Sequence, residues 1–304
     1  MDNFDLMKLI KEEYLVNGKS EILQDIEKQI QKIKNPVDLY RYALAVKDIN
    51  VGDFEELIID SNDSLYMYLF AKDIKGANIK KLQEKIIQLE DIYIIYSFAK
   101  NVKGANVDLL QNKIIEKGNI DDFIKFAKNV KSADVAKFED AVIKTQNAIA
   151  ITMFAEQVKK VDVKNLQNAL LAIYEPLMWK RFSKNVKNAD IIKFEDALIE
   201  NKNYFELINF AKDVPLANIE KIENAIIASS DAKIIFDFAV SVKKANITKL
   251  QNAIIKTKDL VYISEFANLN GVDKNKINEV VKQLKKTKKE TEIRKLIKQG
   301  LFTL

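Results

Sequence analysis

A Phe-Ala pair recurs every 28 residues along this 304-residue chain without an insertion or a deletion. It stands at Phe70-Ala71, Phe98-Ala99, Phe126-Ala127, Phe154-Ala155, Phe210-Ala211, Phe238-Ala239 and Phe266-Ala267. Tyr42-Ala43 and Phe182-Ser183 hold the same register with one change each. A domain built around one core has no reason to keep such a period. A stack of like units does, because each unit buries its apolar face only against its neighbours.

The spacing inside one period is helical. In the unit from Asn78 to Ala105, Asn78 has counterparts at Asn106, Asp134, Asp162, Asp190, Asn218 and Asn246. Asn and Asp are strong N-cap residues, each worth about 1 kcal/mol, because the side-chain oxygen accepts from a free amide of the first turn. Ile79, Leu82, Ile86 and Ile87 follow on one helical face, and Val107, Leu110, Ile114 and Ile115 repeat it. This is helix A. A second cap series, thirteen residues later, reads Asp91, Asn119, Asn147, Glu175, Asn203, Asp231 and Asp259, with Asn35 and Asp63 upstream. Pro36 and Pro176 take the first helical position after two of these caps. Helix B then buries Ile95, Phe98, Ala99 and Val102 and is expected to end near Gly104 or its polar substitutes. The small residue after each Phe lets the neighbouring helix approach. In the unit from Glu175, Trp179 falls in the core slot of Ile95, so burial is expected for it.

The expected fold is all-α: a right-handed α-solenoid of about ten stacked two-helix repeats with a 28-residue period. Residues 1–34 are expected to form N-terminal capping helices, Phe4 to Val16 closed by Asn17-Gly18, then Ile22 to Ile33. Residues 35–272 form the array, and 273–304 a basic C-terminal cap. There Ile277, Val280, Val281 and Leu284 continue the pattern, and Ile293, Leu296 and Ile297 make a last helix with Gly300 as its C-cap. This organisation resembles the α-solenoid class of HEAT, armadillo and tetratricopeptide proteins over nearly the whole chain. The resemblance is architectural: the period is shorter than in those families and the tetratricopeptide Trp-Leu-Gly-Tyr pattern is absent. It implies the fold and carries over no binding residue.

With no cysteine and no histidine, disulfides, thiolate chemistry, zinc sites on those ligands and imidazole catalysis are excluded by inventory. Each glycine is single, so no phosphate loop occurs, and no calcium-loop spacing appears. The expectation is a protein that is not an enzyme and takes no cofactor or metal. No run of 18 uncharged apolar residues exists, and Met1-Asp2-Asn3-Phe4-Asp5 lacks the plan of a signal peptide. A cytoplasmic, non-membrane protein is expected. The Lys-, Ile- and Asn-rich composition points to an AT-rich bacterium or its phage.

Function is expected on the face of helix B opposite the Phe. Lys47, Lys75, Lys103, Lys131, Lys159, Lys187 and Lys243 form one rail, broken by Pro215. Lys72, Lys100, Lys128, Lys184 and Lys212 form a second, broken by Glu156, and Tyr40, Tyr68 and Tyr96 a third. A position in register with Ser97 varies freely from copy to copy, which offers Met153 and Arg181 as anchors for a partner. Residues 273–304 carry ten basic against four acidic side chains, a net +6, while the chain totals +5. The rest is therefore close to neutral, with acids such as Glu139, Asp140, Glu195, Asp196 and Glu223 expected on the outside of helix A. The first expectation is a scaffold binding an acidic protein surface, the second a nucleic-acid binder using the same rails and the basic tail. A bland reading competes with both: lysines favour helix C-termini through the macrodipole by about 0.3–1 kcal/mol, and tyrosines can cover the seam between units. The sequence says nothing of oligomeric state.

Overall fold

The computed structural model describes residues 3–298, with side-chain surroundings for residues 8–291. Among these residues there are twenty α-helices and no strand. The chain divides into two compact units, one of residues up to 145 with 157–161, the other of 146–156 with those from 162 onward.

The first unit opens with α1 (Asn3–Asn17) and α2 (Glu21–Ile33). The B helices α3 (Pro36–Ala45), α5 (Ser64–Asp73), α7 (Ile92–Asn101) and α9 (Ile120–Asn129) then alternate with the A helices α4 (Val51–Asp60), α6 (Ile79–Leu89), α8 (Val107–Lys117) and α10 (Val135–Lys144). In the second unit the B helices are α11 (Ala148–Gln157), α13 (Pro176–Asn185), α15 (Tyr204–Asp213), α17 (Ala232–Ser241) and α19 (Leu260–Phe266). Its A helices are α12 (Val163–Ile173), α14 (Ile191–Glu200), α16 (Ile219–Ala228) and α18 (Ile247–Thr257), followed by α20 (Lys274–Lys298). Within the first unit α3 packs on α5, α5 on α7 and α7 on α9. Within the second, α13 packs on α15, α15 on α17 and α17 on α19.

The recurring aromatic residues are the core. Phe70, Phe98, Phe126, Phe154, Phe182, Phe238 and Phe266 are fully buried, and Phe210 nearly so. Tyr42 takes the slot at the N-terminal end, where its hydroxyl donates to the Leu23 carbonyl at 2.8 Å and to Glu27 at 3.3 Å. Trp179 is buried as expected. Its indole N–H donates to the Leu170 carbonyl at 2.9 Å, and its ring stacks on Phe194 with centroids 5.6 Å apart.

Helix B ends three residues before the expected stop. Val102 and its counterparts Val46, Ile74, Val130, Val186, Val214 and Val242 are C-caps with extended backbone, and their N–H groups bond to the Phe or Tyr carbonyl four residues back. A β-branched residue prefers extended backbone, and from there its side chain still turns into the core: Val102 and Val214 are buried. The caps themselves form with two exceptions. Glu175 and Asp190 make no side-chain cap bond. Glu175 carries one methylene more than the Asp and Asn caps; nothing in the structure explains the exception at Asp190.

A buried polar position holds neighbouring A helices together within each unit. In the first, Gln83 accepts from the Asn106 N–H at 2.8 Å and donates to its carbonyl at 3.2 Å. Gln111 does the same to Asp134, at 2.9 and 2.7 Å. In the second, Gln167 grips Asp190 and Gln251 grips Asp273. Where the position is glutamate only the N–H is held: Asn78 donates to Glu55, Asn218 to Glu195 and Asn246 to Glu223. Glu195 and Glu223, expected on the outside, are buried for this reason, and Glu139, expected there too, is also buried. A side chain one position over, Asp196, keeps the exposed role and meets Lys221 at 2.6 Å.

The residue before each B-helix cap is left-handed although it is not glycine: Lys34, Asn62, Glu90, Gln146, Tyr174, Lys202, Ser230 and Lys258 have φ between 51° and 60°. The glycine in that register, Gly118, has instead φ −79° and ψ 172°. At the C-terminal end, α20 is one 25-residue helix where two were expected. Ile277 is buried against α19, Val280, Val281 and Leu284 are half-buried, and residues 285–291 are mostly exposed. The side chains of Ile293, Leu296 and Ile297, and the expected cap at Gly300, lie outside the described residues.

Candidate binding face

In a B helix, residues two turns apart share a side. In α5, Leu65, Leu69 and Lys72 point away from Met67, Phe70 and Ala71, which are buried. In α7 the same stripe is Tyr93, Ser97 and Lys100, of which Ser97 is buried and donates its hydroxyl to the Tyr93 carbonyl at 2.8 Å. This stripe and the turn that follows each B helix carry the residues singled out from the sequence.

In the first unit Lys72, Lys100 and Lys128 stand exposed in the last helical turn. The rail of Lys47, Lys75, Lys103 and Lys131 is also exposed, but it lies beyond the helix ends, in the turns leading to the next A helix. Among the described residues, Lys47, Lys75, Lys103, Lys131, Lys100 and Lys128 form no ion pair, and Lys72 lies 3.5 Å from the adjacent Asp73. Several lysines of the A helices differ, although Lys85 and Lys144 form no ion pair among the described residues either. Lys81 is paired with Glu56, Lys137 with Asp108, and Lys113 with Glu90 and Glu116 at 3.1 and 3.0 Å.

The tyrosines are shared between structure and surface. Tyr40 is half-buried and donates its hydroxyl to Asp73 at 2.8 Å, and burial together with that bond pushes its ionisation well above the ordinary value. The Tyr68 hydroxyl accepts from Asn101 at 3.0 Å. Both therefore tie one B helix to the end of the next. Tyr96 packs edge-on against Phe126 with centroids 6.4 Å apart. Its outer face is met by ammonium groups, Lys125 at 4.4 Å and Lys100 at 5.7 Å from the centroid. Lys125 also lies 5.0 Å from the ring of Tyr93, and Lys72 6.0 Å from that of Tyr68. Tyr93 and Lys125 thus join the face without having been picked as site residues. The signal for them was present, since both occupy exposed positions of the register.

In the second unit Lys184, Lys187, Lys212 and Lys243 are exposed. Arg181 is half-buried and already engaged: its guanidinium grips Glu156 bidentately at 2.8 and 2.6 Å. Burial alone would raise the Glu156 carboxyl, but the bonds from Arg181 and Asn185 outweigh it and hold the group below its usual value. Met153 is half-buried. Where Pro215 interrupts the lysine rail, a cleft of about 370 Å³ is lined by Lys212, Asp213, Pro215, Ser241, Lys243 and Lys244.

One further rail escaped the sequence reading. The second residue of each B helix is apolar and exposed in most copies: Leu65 43%, Tyr93 65%, Ile149 53%, Leu177 57%, Phe205 73% and Val261 62%. Among the described residues no acidic cluster is placed to hold a metal ion, and no helix is long and apolar enough to cross a membrane. Comparison with protein-family models, with curated proteins and with solved structures finds no match.

Proposed function

We propose that the chain is a non-catalytic right-handed α-solenoid of about ten 28-residue repeats that binds another protein through the lysine-rich side of its B helices. One observation carries this reading. Lys81, Lys113 and Lys137 of the A helices are matched by carboxylates from neighbouring helices, whereas Lys75, Lys100, Lys103, Lys128 and Lys131 at the B-helix ends of the first unit form no ion pair among the described residues. Unpaired surface lysines steer and hold an acidic partner. A protein partner is favoured over nucleic acid on two counts. Arginine, the residue best shaped for phosphate, occurs three times (Arg41, Arg181, Arg294), and Arg181 is spent on Glu156. The exposed rail beside the lysines is also largely aliphatic, which offers bases little to stack on.

The test reverses charge at Lys75→Glu, Lys103→Glu and Lys131→Glu together and compares protein capture from the native cell with that by the unaltered chain. Capture is expected to drop. Unchanged recovery of every partner would remove this face from consideration. Nucleic-acid binding is tested separately by gel shift at low salt with generic DNA and RNA. A shift that weakens steeply with added salt, as counterion release requires, would transfer the face to nucleic acid.

A further inference from the structure

The binding face is not uniformly basic, and its composition identifies the partner's chemistry. The second position of the B helices reads Val37, Leu65, Tyr93, Asp121, Ile149, Leu177, Phe205, Lys233 and Val261, so seven of nine copies are apolar. Four residues on, the freely varying position reads Arg41, Leu69, Ser97, Lys125, Met153, Arg181, Asn209, Asp237 and Glu265, of which two are apolar. The second position is exposed in most copies, whereas the other is half-buried in most and buried at Ser97. If exposure alone governed them, the second position would drift further toward polar residues. The reverse has happened: it stays apolar and changes identity among Val, Leu, Tyr, Ile and Phe. Six of these seven side chains are between 43% and 73% exposed, so packing within the chain does not account for them.

In four of the seven apolar copies a lysine of the rail stands seven residues further along the B helix: Leu65 precedes Lys72, Tyr93 precedes Lys100, Leu177 precedes Lys184 and Phe205 precedes Lys212. Seven residues of helix span about 10.5 Å, close to the 10–12 Å diameter of an α-helix with its side chains. Within each unit neighbouring B helices pack side by side, α5 with α7 and α13 with α15. A ligand helix crossing them meets an apolar edge on one flank and an ammonium edge on the other. We propose that the face takes an acidic amphipathic α-helix. Its apolar stripe would seat on Leu65 and Tyr93, or on Leu177 and Phe205, and its carboxylates would reach Lys72 and Lys100, or Lys184 and Lys212. Charge complementarity selects this occupant: the exposed ammonium groups of Lys72, Lys100, Lys184 and Lys212 call for carboxylates, and the exposed Leu65, Tyr93, Leu177 and Phe205 for an apolar stripe. The inference rests on the binding reading above and adds the partner's form to it.

The experiment uses the full chain and a labelled peptide of about 20 residues, long enough to form a helix. Leucines occupy one helical face and glutamates its flanks. The controls are a peptide of identical composition with the leucines scattered around the helix, and polyglutamate of equal length. Fluorescence anisotropy is expected to show the amphipathic peptide binding about tenfold or more tightly than either control. That advantage should vanish in Leu177→Ser/Phe205→Ser combined with Leu65→Ser/Tyr93→Ser. All four sites are exposed, so helicity by circular dichroism should be unchanged. Equal binding of the three peptides, or an undiminished advantage in the serine variant, overturns the inference. If charge reversal at Lys75, Lys103 and Lys131 abolishes cellular capture while the serine variant captures normally, the face binds but not in this way. If neither variant affects capture, the binding reading itself falls.

Discussion

The Glu195 side chain is the position at which this fold is least well served, and replacing it with glutamine should stabilise the protein. Glu195 is fully buried; Oε1 accepts from the Asn218 N–H at 2.7 Å, while Oε2 has no hydrogen-bond partner. The nearest ammonium, Lys221, lies 3.8 Å away and is engaged with Asp196 at 2.6 Å. In the same register of the same unit, Gln167 accepts from the Asp190 N–H at 2.9 Å and donates to its carbonyl at 2.7 Å. Glu195→Gln can adopt that arrangement toward Asn218. The gain is one hydrogen bond, about 1 kcal/mol, together with removal of a desolvated charge. The loss is the charge assistance of the bond that remains and a long-range attraction to Lys221, which keeps its other partner. The net is about 1 kcal/mol in favour of glutamine, or about 2–4 °C in Tm for a unit of this size.

The pH dependence is the sharper reading. Burial raises the Glu195 carboxyl above its ordinary value of 4.5, although the Asn218 N–H and Lys221 pull the other way. A carboxyl with a raised folded-state pKa binds its proton more tightly folded than unfolded, so its ionisation costs stability above that pKa. The cost shrinks as pH falls through the raised value toward 4.5. The Tm difference between Glu195→Gln and the unaltered chain, followed by circular dichroism at 222 nm, should be widest at neutral pH and narrow on acidification. A variant that melts at or below the original at neutral pH would refute the reasoning. So would a difference that stays constant down to pH 4.5.

The converse exchange, Gln167→Glu, should destabilise by about 1–3 kcal/mol in the same melt, since it leaves the Asp190 carbonyl without its donor and buries a charge. Lys202→Gly and Ser230→Gly should each stabilise by less than about 1 kcal/mol in the same melt, since relief of left-handed backbone, about 1–2 kcal/mol, is largely offset by what glycine's freedom adds to the unfolded chain, about 0.4–1 kcal/mol. Gly118→Ala should destabilise instead: its Cβ would fall 2.6 Å from the Ile114 carbonyl oxygen, a backbone atom that cannot step aside. Phe98→Ala should cost about 3–5 kcal/mol, and hydrogen exchange should show α7 opening first, with its packing partners α5 and α8 after it.

Helix identity and the buried side of each helix were legible because hydrophobic period, cap residues and the 28-residue register agree at nearly every copy. The stop of helix B was not legible. The apolar pattern runs on through Val102, and periodicity cannot tell a residue that continues a helix from one that points inward from extended backbone. The left-handed positions were hidden for a related reason. Lys202, Ser230 and Tyr174 carry no glycine signal, and the glycine in their register, Gly118, is the copy that does not need one. Charge misled at Glu139, Glu195 and Glu223, which a hydropathy reading assigns to water.

The repeat nevertheless contained the means to correct that last error, because each position can be compared across copies of itself. The slot that holds Glu195 reads Glu27, Glu55, Gln83, Gln111, Glu139, Gln167, Glu195, Glu223 and Gln251. A solvated position would admit Lys, Asn or Ser. A slot that admits only a two-carbon stem ending in a carbonyl or carboxylate oxygen must be gripping a donor at fixed reach, and the donor is the cap N–H of the next A helix. The same comparison sorts the rest of the unit. The Phe slot is fixed in identity because a shaped cavity surrounds it. The position of Ser97 is fixed in nothing: it ranges from the buried Ser97 to the exposed Lys125. The position of Leu65 is fixed in kind alone: apolar in most copies, different in shape and open to water. Packing among the described residues does not explain that pattern, and this is why the proposed binding face is laid along it.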